Sequence, residues 1–165
     1  MNWQQYTPGG TPLQDAWPSG TCYGCGPANT HGNRIKSYWS EDGTEVIMTF
    51  QSDPDHNAGF PNVVYGGLVA SLIDCHSIWT AIAWTYREEN RDHGSPPSLS
   101  YVTGELNVRY LKPTPLDQPV TLRARVTELH PKKALVECSF YAGETKTAEA
   151  RVTAVRFNMD KALGA

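Results

Sequence analysis

The sequence has few of the features that mark membrane, nucleic-acid-binding or secreted proteins. Among its 165 residues no run approaches the ~20 consecutive apolar residues that a membrane-spanning helix needs. With 14 basic and 17 acidic side chains, it lacks the positive charge that is typical of nucleic-acid-binding domains. The N-terminus lacks the basic start and apolar run of a signal peptide. We therefore expect a cytoplasmic domain without a membrane span and without a nucleic-acid partner.

Cysteine is also scarce, and its spacing argues against a metal centre. The four cysteines are Cys22, Cys25, Cys75 and Cys138. A zinc site built on Cys22 and Cys25 needs two more ligands, and the sequence has no second Cys-x-x-Cys pair. His31 and His56 are available, but their spacing matches no common zinc module. A glycine-rich knuckle with two reduced thiols is the favoured interpretation, with zinc or redox chemistry as alternatives, so we expect no metal and no cofactor.

The 14 glycines and 12 prolines are unevenly distributed, and many fall within the first 32 residues. Clusters of these residues interrupt helices and strands. The sequence therefore predicts an irregular arm over residues 1–32, followed by one domain over residues 33–160.

The domain contains one helical pattern between stretches typical of strands. Residues 34–39 and 45–50 flank a turn and predict a hairpin. From Gly66 to about Tyr86, apolar residues recur at the helical period on nearly every face, which indicates a buried helix in which His76 is a hydrogen-bonded core residue. Four alternating stretches follow, which predict an antiparallel meander: 98–112, 119–130, 134–142 and 146–157. The economical packing is one curled antiparallel sheet around the helix, an α+β architecture.

The start of the predicted helix has the chemistry of an anion site. Gly66 and Gly67 carry no Cβ, and the free N–H groups of a helix N-terminus favour an oxyanion or a polarised carbonyl oxygen. Asp74 follows eight residues after Gly66, which is ~12 Å along a helix axis. It is therefore too far to act at its own helix N-terminus, although the Asp74 of a neighbouring chain could reach it. From the residues alone Asp74 is either a structural carboxylate bonded to Ser77, Thr103 or the loop, or a general base or nucleophile.

Three segments carry a resemblance to a known family. Residues 59–74 (GFPNVVYGGLVASLID) resemble the signature of the hotdog-fold acyl-CoA thioesterases, nearest to the phenylacetate-degradation type. Members typically read His-Gly-Gly, six mixed residues, and then Asp or Glu. Residues 22–32 and 105–113 resemble two further segments of these proteins. The resemblance implies a hotdog fold, in which a curled antiparallel sheet wraps one long central helix, assembled as a homodimer or homotetramer.

The resemblance also implies a reaction, the hydrolysis of an acyl-CoA thioester held between subunits. The N–H of Gly66 or Gly67 would polarise the thioester carbonyl, and Asp74 of the partner subunit would act as base or nucleophile. His56 and Asn57 are the polar loop residues available to hold the water or the carbonyl.

Five further positions complete the predicted site. Thr103 lies on the strand where family members often place a Ser or Thr near the nucleophile, and Tyr65 stands where they usually have His. Ile78 is a candidate for lining the acyl pocket. Arg109 and Lys112 end the strand nearest the site, where cations would meet the phosphates of coenzyme A. The alternative functions are a non-catalytic acyl-CoA or lipid-ligand binder and a hotdog hydratase or dehydratase, although the acid–histidine pair of the latter has no counterpart here.

Overall fold

The computed structural model describes residues 10–158. Residues 1–9 of the predicted arm and residues 159–160 of the predicted domain lie outside the described residues. The described elements are a 3₁₀ turn (Leu13–Ala16), β1 (Tyr38–Trp39), β2 (Val46–Phe50), α1 (Gly66–Glu88), β3 (Ser100–Tyr110), β4 (Val120–His130), β5 (Lys133–Ala142) and β6 (Thr145–Phe157).

The strands form one six-stranded antiparallel sheet in the order β1-β2-β4-β5-β6-β3. The α1 helix contacts β3, β4, β5 and β6, so the predicted architecture, a curled sheet around one helix, is confirmed. This is the hotdog fold.

Two details of the predicted sheet are wrong. Only β4, β5 and β6 form a meander, because β3 pairs with β6 and lies at the sheet edge. The chain leaves β2, which pairs with β4, and enters α1. The helix then carries the chain across the sheet, so that β3 begins at the edge opposite to β1. The first strand is also shorter than the predicted 34–39, since β1 has two residues and Arg34 has a φ of 46°, which an extended strand does not allow.

The helix α1 is the centre of the core, as the all-round apolar pattern predicts. Its buried residues include Leu68, Leu72, Ile73 and Trp79, and they meet the inner faces of the strands. By length and composition alone this is the one helix within residues 10–158 that could cross a membrane, which the sequence analysis did not anticipate. Of its most apolar 18-residue stretch, 67% is buried inside the protein, so most of that stretch is already covered.

His76 is a fully buried, hydrogen-bonded core histidine, as the sequence predicts. Its Nε2 donates to the carbonyl oxygen of Val46 (3.1 Å), which leaves Nδ1 to accept from Ser37 Oγ (2.9 Å). The side-chain amide of Gln14 donates in turn to Ser37 Oγ (3.0 Å) and accepts from its N–H (2.8 Å). Burial lowers the pKa of His76 from 6.5 to about 4, so the ring is neutral at physiological pH. This network joins the 3₁₀ turn, the segment before β1, β2 and α1.

Candidate active site

Asp74 lies half-buried on α1 and has a partner on the edge strand. Thr103 Oγ1 of β3 donates a hydrogen bond to Asp74 Oδ1. Thr103 points towards the helix because it pairs with Ala154, whose side chain is fully buried on the inner face. Immediately after it the pairing shifts by one residue at Gly104, a β-bulge of the kind that re-aims side chains near functional sites. Ser77, Thr103 and the loop were the predicted alternatives as partners of Asp74. The structure shows that Thr103 is the hydrogen-bond partner.

Asp74 and Thr103 border a pocket of about 390 Å³ between α1 and the start of β3. Most of its lining is apolar or aromatic, and includes Ile78, the residue predicted to line an acyl pocket. The sequence pattern does not identify the following pocket residues: Trp17, Cys22, Cys25, Cys75, Tyr86, His93 and Tyr101. They come from the arm, the helix, the following loop and β3, so no local pattern could have grouped them.

The N-terminus of α1 presents unpaired backbone donors. Tyr65 precedes the helix with extended backbone, and its carbonyl accepts from the N–H of Leu68 (3.1 Å). The N–H groups of Gly66 and Gly67 have no acceptor among residues 10–158. These are the donors that the sequence assigns to a thioester carbonyl, and the structure leaves them available.

Two tyrosine rings pack on these glycines. The hydroxyl of Tyr110, on β3, donates to the carbonyl of Gly66 (2.8 Å), and its ring lies 3.4 Å from where a Cβ on Gly66 would be. The ring of Tyr65 lies so close to Gly67 that a Cβ there would be 2.5 Å from Tyr65 Cε2. In the sequence Tyr110 belongs to an alternating strand and to the segment 105–113, and it has no predicted role in the site. Strand alternation could have placed it on the inner face, but its contact with Gly66 depends on the fold.

The loop before the helix brings His56 beside Tyr65. The N–H of Tyr65 donates to the carbonyl of His56 (3.0 Å), and the two rings are 6.3 Å apart. The Nδ1 of His56 accepts from the N–H of Asp53 (3.1 Å), which fixes the ring within the loop. Asn57 accepts from the N–H of Gly59 through its side chain (3.0 Å), and its backbone bridges to Val64. His56 thus borders the helix N-terminus, while Asn57 shapes the loop.

The two predicted cations lie apart from the pocket. Arg109 alternates with Tyr110 and lies on the outer face of β3, where it pairs loosely with Glu149 (3.7 Å) and its side chain is 76% exposed. Lys112 is exposed just beyond the end of β3, and its N–H donates to the carbonyl of Thr147 (3.1 Å). Neither side chain lines the pocket at Asp74.

The predicted residues therefore form two groups on one chain. Asp74, Thr103 and Ile78 surround the pocket, whereas His56, Tyr65 and the two glycines surround the helix N-terminus. The unbroken helix separates Gly66 from Asp74 by eight residues, or ~12 Å. A single chain does not bring its acid to its own donors.

The pocket wall beside Asp74 also holds three thiols. The sulfur atoms of Cys22, Cys25 and Cys75 all lie within 4.8 Å of one another, and those of Cys22 and Cys75 are 3.8 Å apart. The hydrogen bond from the Cys75 thiol holds the pKa of Cys22 well below its usual range, and the same contact raises the pKa of Cys75.

A curled antiparallel sheet around one long helix, with an acid two turns into that helix and free N–H groups at its start, defines a hotdog-fold protein of the thioesterase type. The chain belongs to the Thioesterase superfamily, because the model of that family matches residues 61–155.

Individual relatives agree with this membership. The chain is 25% identical over 129 residues to the acyl-coenzyme A thioesterase THEM4 of Rattus norvegicus, a match that covers 78% of this chain and 50% of the relative. The chain thus spans about half the length of this curated relative. A thioesterase superfamily protein from Shewanella loihica is 35% identical, with a TM-score of 0.62, and the match covers 79% of this chain and 97% of that one.

Two more distant solved structures share the fold. The BH2602 protein of Bacillus halodurans, crystallised with CoA, is 24% identical with a TM-score of 0.59, and the match covers 76% of each chain. The PaaI protein of the E. coli phenylacetic acid degradation operon is 16% identical with a TM-score of 0.61, covering 76% of this chain and 81% of that one. The resemblance to the hotdog thioesterases that the sequence predicts is confirmed.

Proposed function

We propose that this protein hydrolyses acyl-CoA thioesters to a free acid and CoA, with Asp74 as the catalytic acid–base residue or nucleophile. The observation that carries the proposal is the position of Asp74, a half-buried carboxylate that accepts from Thr103 at the edge of a largely apolar pocket. A carboxylate beside an apolar acyl site is placed to act on a carbonyl bound there. The names of the curated relatives, acyl-coenzyme A thioesterases, support the same substrate class.

The pocket supports an acyl group of modest size. Its volume of about 390 Å³ lies near the lower end of the ~300–1,000 Å³ that ligand pockets span. Ile78, Trp79 and Tyr101 contribute its apolar walls. We propose that the acyl chain occupies this pocket while the CoA portion remains outside.

Stabilisation of the oxyanion is assigned to the start of α1. The N–H groups of Gly66 and Gly67 are unpaired and lie at the positive end of the helix dipole. Such preorganised donors act most strongly where negative charge develops, on the carbonyl oxygen of the tetrahedral intermediate. His56 and Tyr65, at the same helix end, are positioned to hold the thioester or the attacking water.

The active unit in this proposal is a pair of chains. Asp74 and the donors at Gly66 lie ~12 Å apart on one helix, so they serve one carbonyl only if the acid comes from the partner subunit. An edge strand with unpaired backbone groups, β3, supports such an association. We propose a homodimer with two equivalent sites, which can pair with a second copy to form a dimer of dimers.

The chemistry then follows from these positions. In the base pathway the carboxylate of Asp74 takes a proton from water as the water oxygen bonds to the thioester carbon. The negative charge moves to the carbonyl oxygen, where the glycine N–H groups donate to it. Collapse of the intermediate breaks the carbon–sulfur bond, and the proton held by Asp74 passes to the departing thiolate. In the nucleophile pathway the Asp74 carboxylate attacks the thioester carbon, and the carbon–sulfur bond breaks as CoA departs as its thiolate. Water then hydrolyses the mixed anhydride to the free acid and the Asp74 carboxylate, and the proton it releases passes to the thiolate.

Thiol release from a panel of acyl-CoAs tests the proposal. We expect Asp74→Asn and Asp74→Ala to lower kcat by about 10²–10⁴-fold, the usual contribution of a positioned acid–base group. Asp117→Asn is the matched control, because Asp117 is exposed and away from the pocket.

Two results would contradict the assignment. Unchanged kcat in both Asp74 variants would remove Asp74 from the chemistry. A wild-type protein that binds CoA but releases no thiol from any substrate would instead favour the non-catalytic binder.

A further inference from the structure

The arm and the central helix bring three sulfur atoms together beside the pocket. Cys22 and Cys25 lie in the arm, whereas Cys75 lies on α1, 53 residues after Cys22. Their Sγ atoms all lie within 4.8 Å of one another. Among residues 10–158, no other group of three or more His, Cys, Asp or Glu side chains has its ligand atoms so near one another.

The backbone around the cluster favours charge on its sulfurs. The N–H of Gly26 donates to the carbonyl of Cys22 (2.8 Å) and closes the knuckle. After the hydrogen bond from the Cys75 thiol, the backbone N–H groups of Cys25 and Gly24 also lower the pKa of the Cys22 thiol. Such donors are the outer-shell partners that stabilise metal-bound thiolates.

Gly24 allows the knuckle to approach the helix. A Cβ at this position would collide with the sulfur of Cys75. Any other residue would therefore push the arm away from α1 and separate Cys75 from the two arm cysteines.

We propose that Cys22, Cys25 and Cys75 bind one Zn²⁺ ion, which fastens the arm to the central helix. Tetrahedral zinc with Zn–S bonds of ~2.3 Å requires sulfur atoms ~3.8 Å apart. The sulfurs of Cys22 and Cys75 are already 3.8 Å apart, and Cys25 needs to move by no more than about 1 Å. Thiolates are also the ligands that select zinc over hard cations.

Three protein ligands leave the fourth position of the tetrahedron for water or another donor. The three cysteines line the same pocket as Asp74, the residue before Cys75 on α1. The proposed ion therefore forms part of the wall beside the acyl site. The expectation that no metal is bound is revised here, because only the fold brings Cys75 to the other two thiols.

Metal titration of the full chain tests the site. The protein is reduced, stripped with a chelator and titrated with Zn²⁺ alone or with Co²⁺ as a spectroscopic probe. We expect one ion per chain, sulfur-to-cobalt charge-transfer absorption, and protection of three thiols from a thiol reagent when zinc is present. Mg²⁺ should give none of these signals.

Cysteine variants distinguish zinc binding at this cluster from nonspecific binding of zinc by any thiol. Cys22→Ser and Cys25→Ser should each weaken zinc affinity by more than about tenfold, because even outer-shell changes cost 10–100-fold. They are preferred to Cys75→Ser because Cys75 is buried in the core, and circular dichroism confirms their folding. Cys138→Ala, which removes the buried cysteine outside the cluster, should bind zinc like the wild type.

Three results would overturn the proposal: no binding at equimolar zinc, binding unchanged in both arm variants, or equal loss in Cys138→Ala. None of these readouts uses acyl-CoA. Failure of the zinc site is therefore distinguishable from failure of the proposed hydrolase activity.

Discussion

At the residue scale, the two glycines that begin α1 have different neighbours. The Tyr110 ring is at ordinary contact distance from a Cβ on Gly66, whereas the Tyr65 ring occupies the space that a Cβ on Gly67 needs. The absence of a side chain at Gly67 therefore serves the packing of Tyr65 as well as the exposure of the N–H groups. The Tyr65 ring therefore lies directly against this end of the helix.

A double-mutant cycle tests this packing. Alanine at a helical glycine ordinarily stabilises by up to about 1 kcal/mol. In the wild-type background we expect Gly67→Ala to give no such gain in unfolding free energy, because the new Cβ displaces the Tyr65 ring. In a Tyr65→Ala background, the same substitution should give the full gain. Gly66→Ala is the matched control, with a gain that does not depend on residue 65. The unfolding free energies come from urea denaturation, and the same effect of Gly67→Ala in both backgrounds would contradict the contact.

At the element scale, α1 organises both the core and the site. Successive residues of one turn have unrelated tasks: Asp74 meets Thr103, Cys75 meets the arm, and His76 bonds to Ser37 and Val46. Because these side chains leave the helix in different directions, a single turn of α1 contacts β3, the arm and β2. A change in this turn therefore affects several elements together.

Buried His76 makes stability depend on pH. Its pKa is about 4 in the folded protein and about 6.5 when unfolded, so the unfolded state binds more protons between these values. We expect the unfolding free energy to be fully present above pH 6.5 and to fall by about 3 kcal/mol as the pH drops towards 4.

Urea denaturation across this pH window measures the effect. His76→Gln should remove most of the change in unfolding free energy with pH, whatever its effect on stability at neutral pH. His130→Gln should keep the slope, because His130 is exposed at the end of β4. An unchanged slope in His76→Gln would show that other groups cause the pH dependence.

At the scale of the whole molecule, the proposed site lies in two separate halves on one chain. The acid with its pocket and the donors at the helix N-terminus are separated by ~12 Å along a rigid helix. In a two-fold dimer, the Asp74 pocket of each chain would meet the helix N-terminus of its partner. The dimer would therefore contain two equivalent sites.

Complementation between inactive chains tests this arrangement. We expect Asp74→Asn and Gly67→Val to be inactive alone, since one lacks the acid and the other crowds the donors. Mixed dimers contain one intact site, so a statistical mixture should recover about one quarter of wild-type activity. Refolding the two variants together and assaying thiol release gives the measurement, with separately refolded variants as controls. No recovery, or a monomer by light scattering, would contradict the shared site.

Much of the fold could be predicted from the sequence because it depends on local periodicity. The helix start at Gly66, the last three strands and the buried state of His76 follow from spacing and polarity. The position of β3 at the far edge could not be predicted, since strand order depends on which strands pair after the helix crosses the sheet. The contact between Asp74 and Thr103 was one of several alternatives, because the pairing of β3 with β6 that places Thr103 on the inner face is not recorded in any local pattern.

Local spacing alone predicts that one buried helix begins with two glycines and carries an acid eight residues later, because helical geometry depends on neighbouring residues. The scarce cysteine and modest charge also predict no standard zinc module and no nucleic-acid-binding segment, and these absences stay predictions. Only the tertiary structure decided that the cysteines are a cluster. The sulfur of Cys75 meets those of Cys22 and Cys25 because the arm packs on the helix, and contacts between such distant segments depend on packing that no local pattern records.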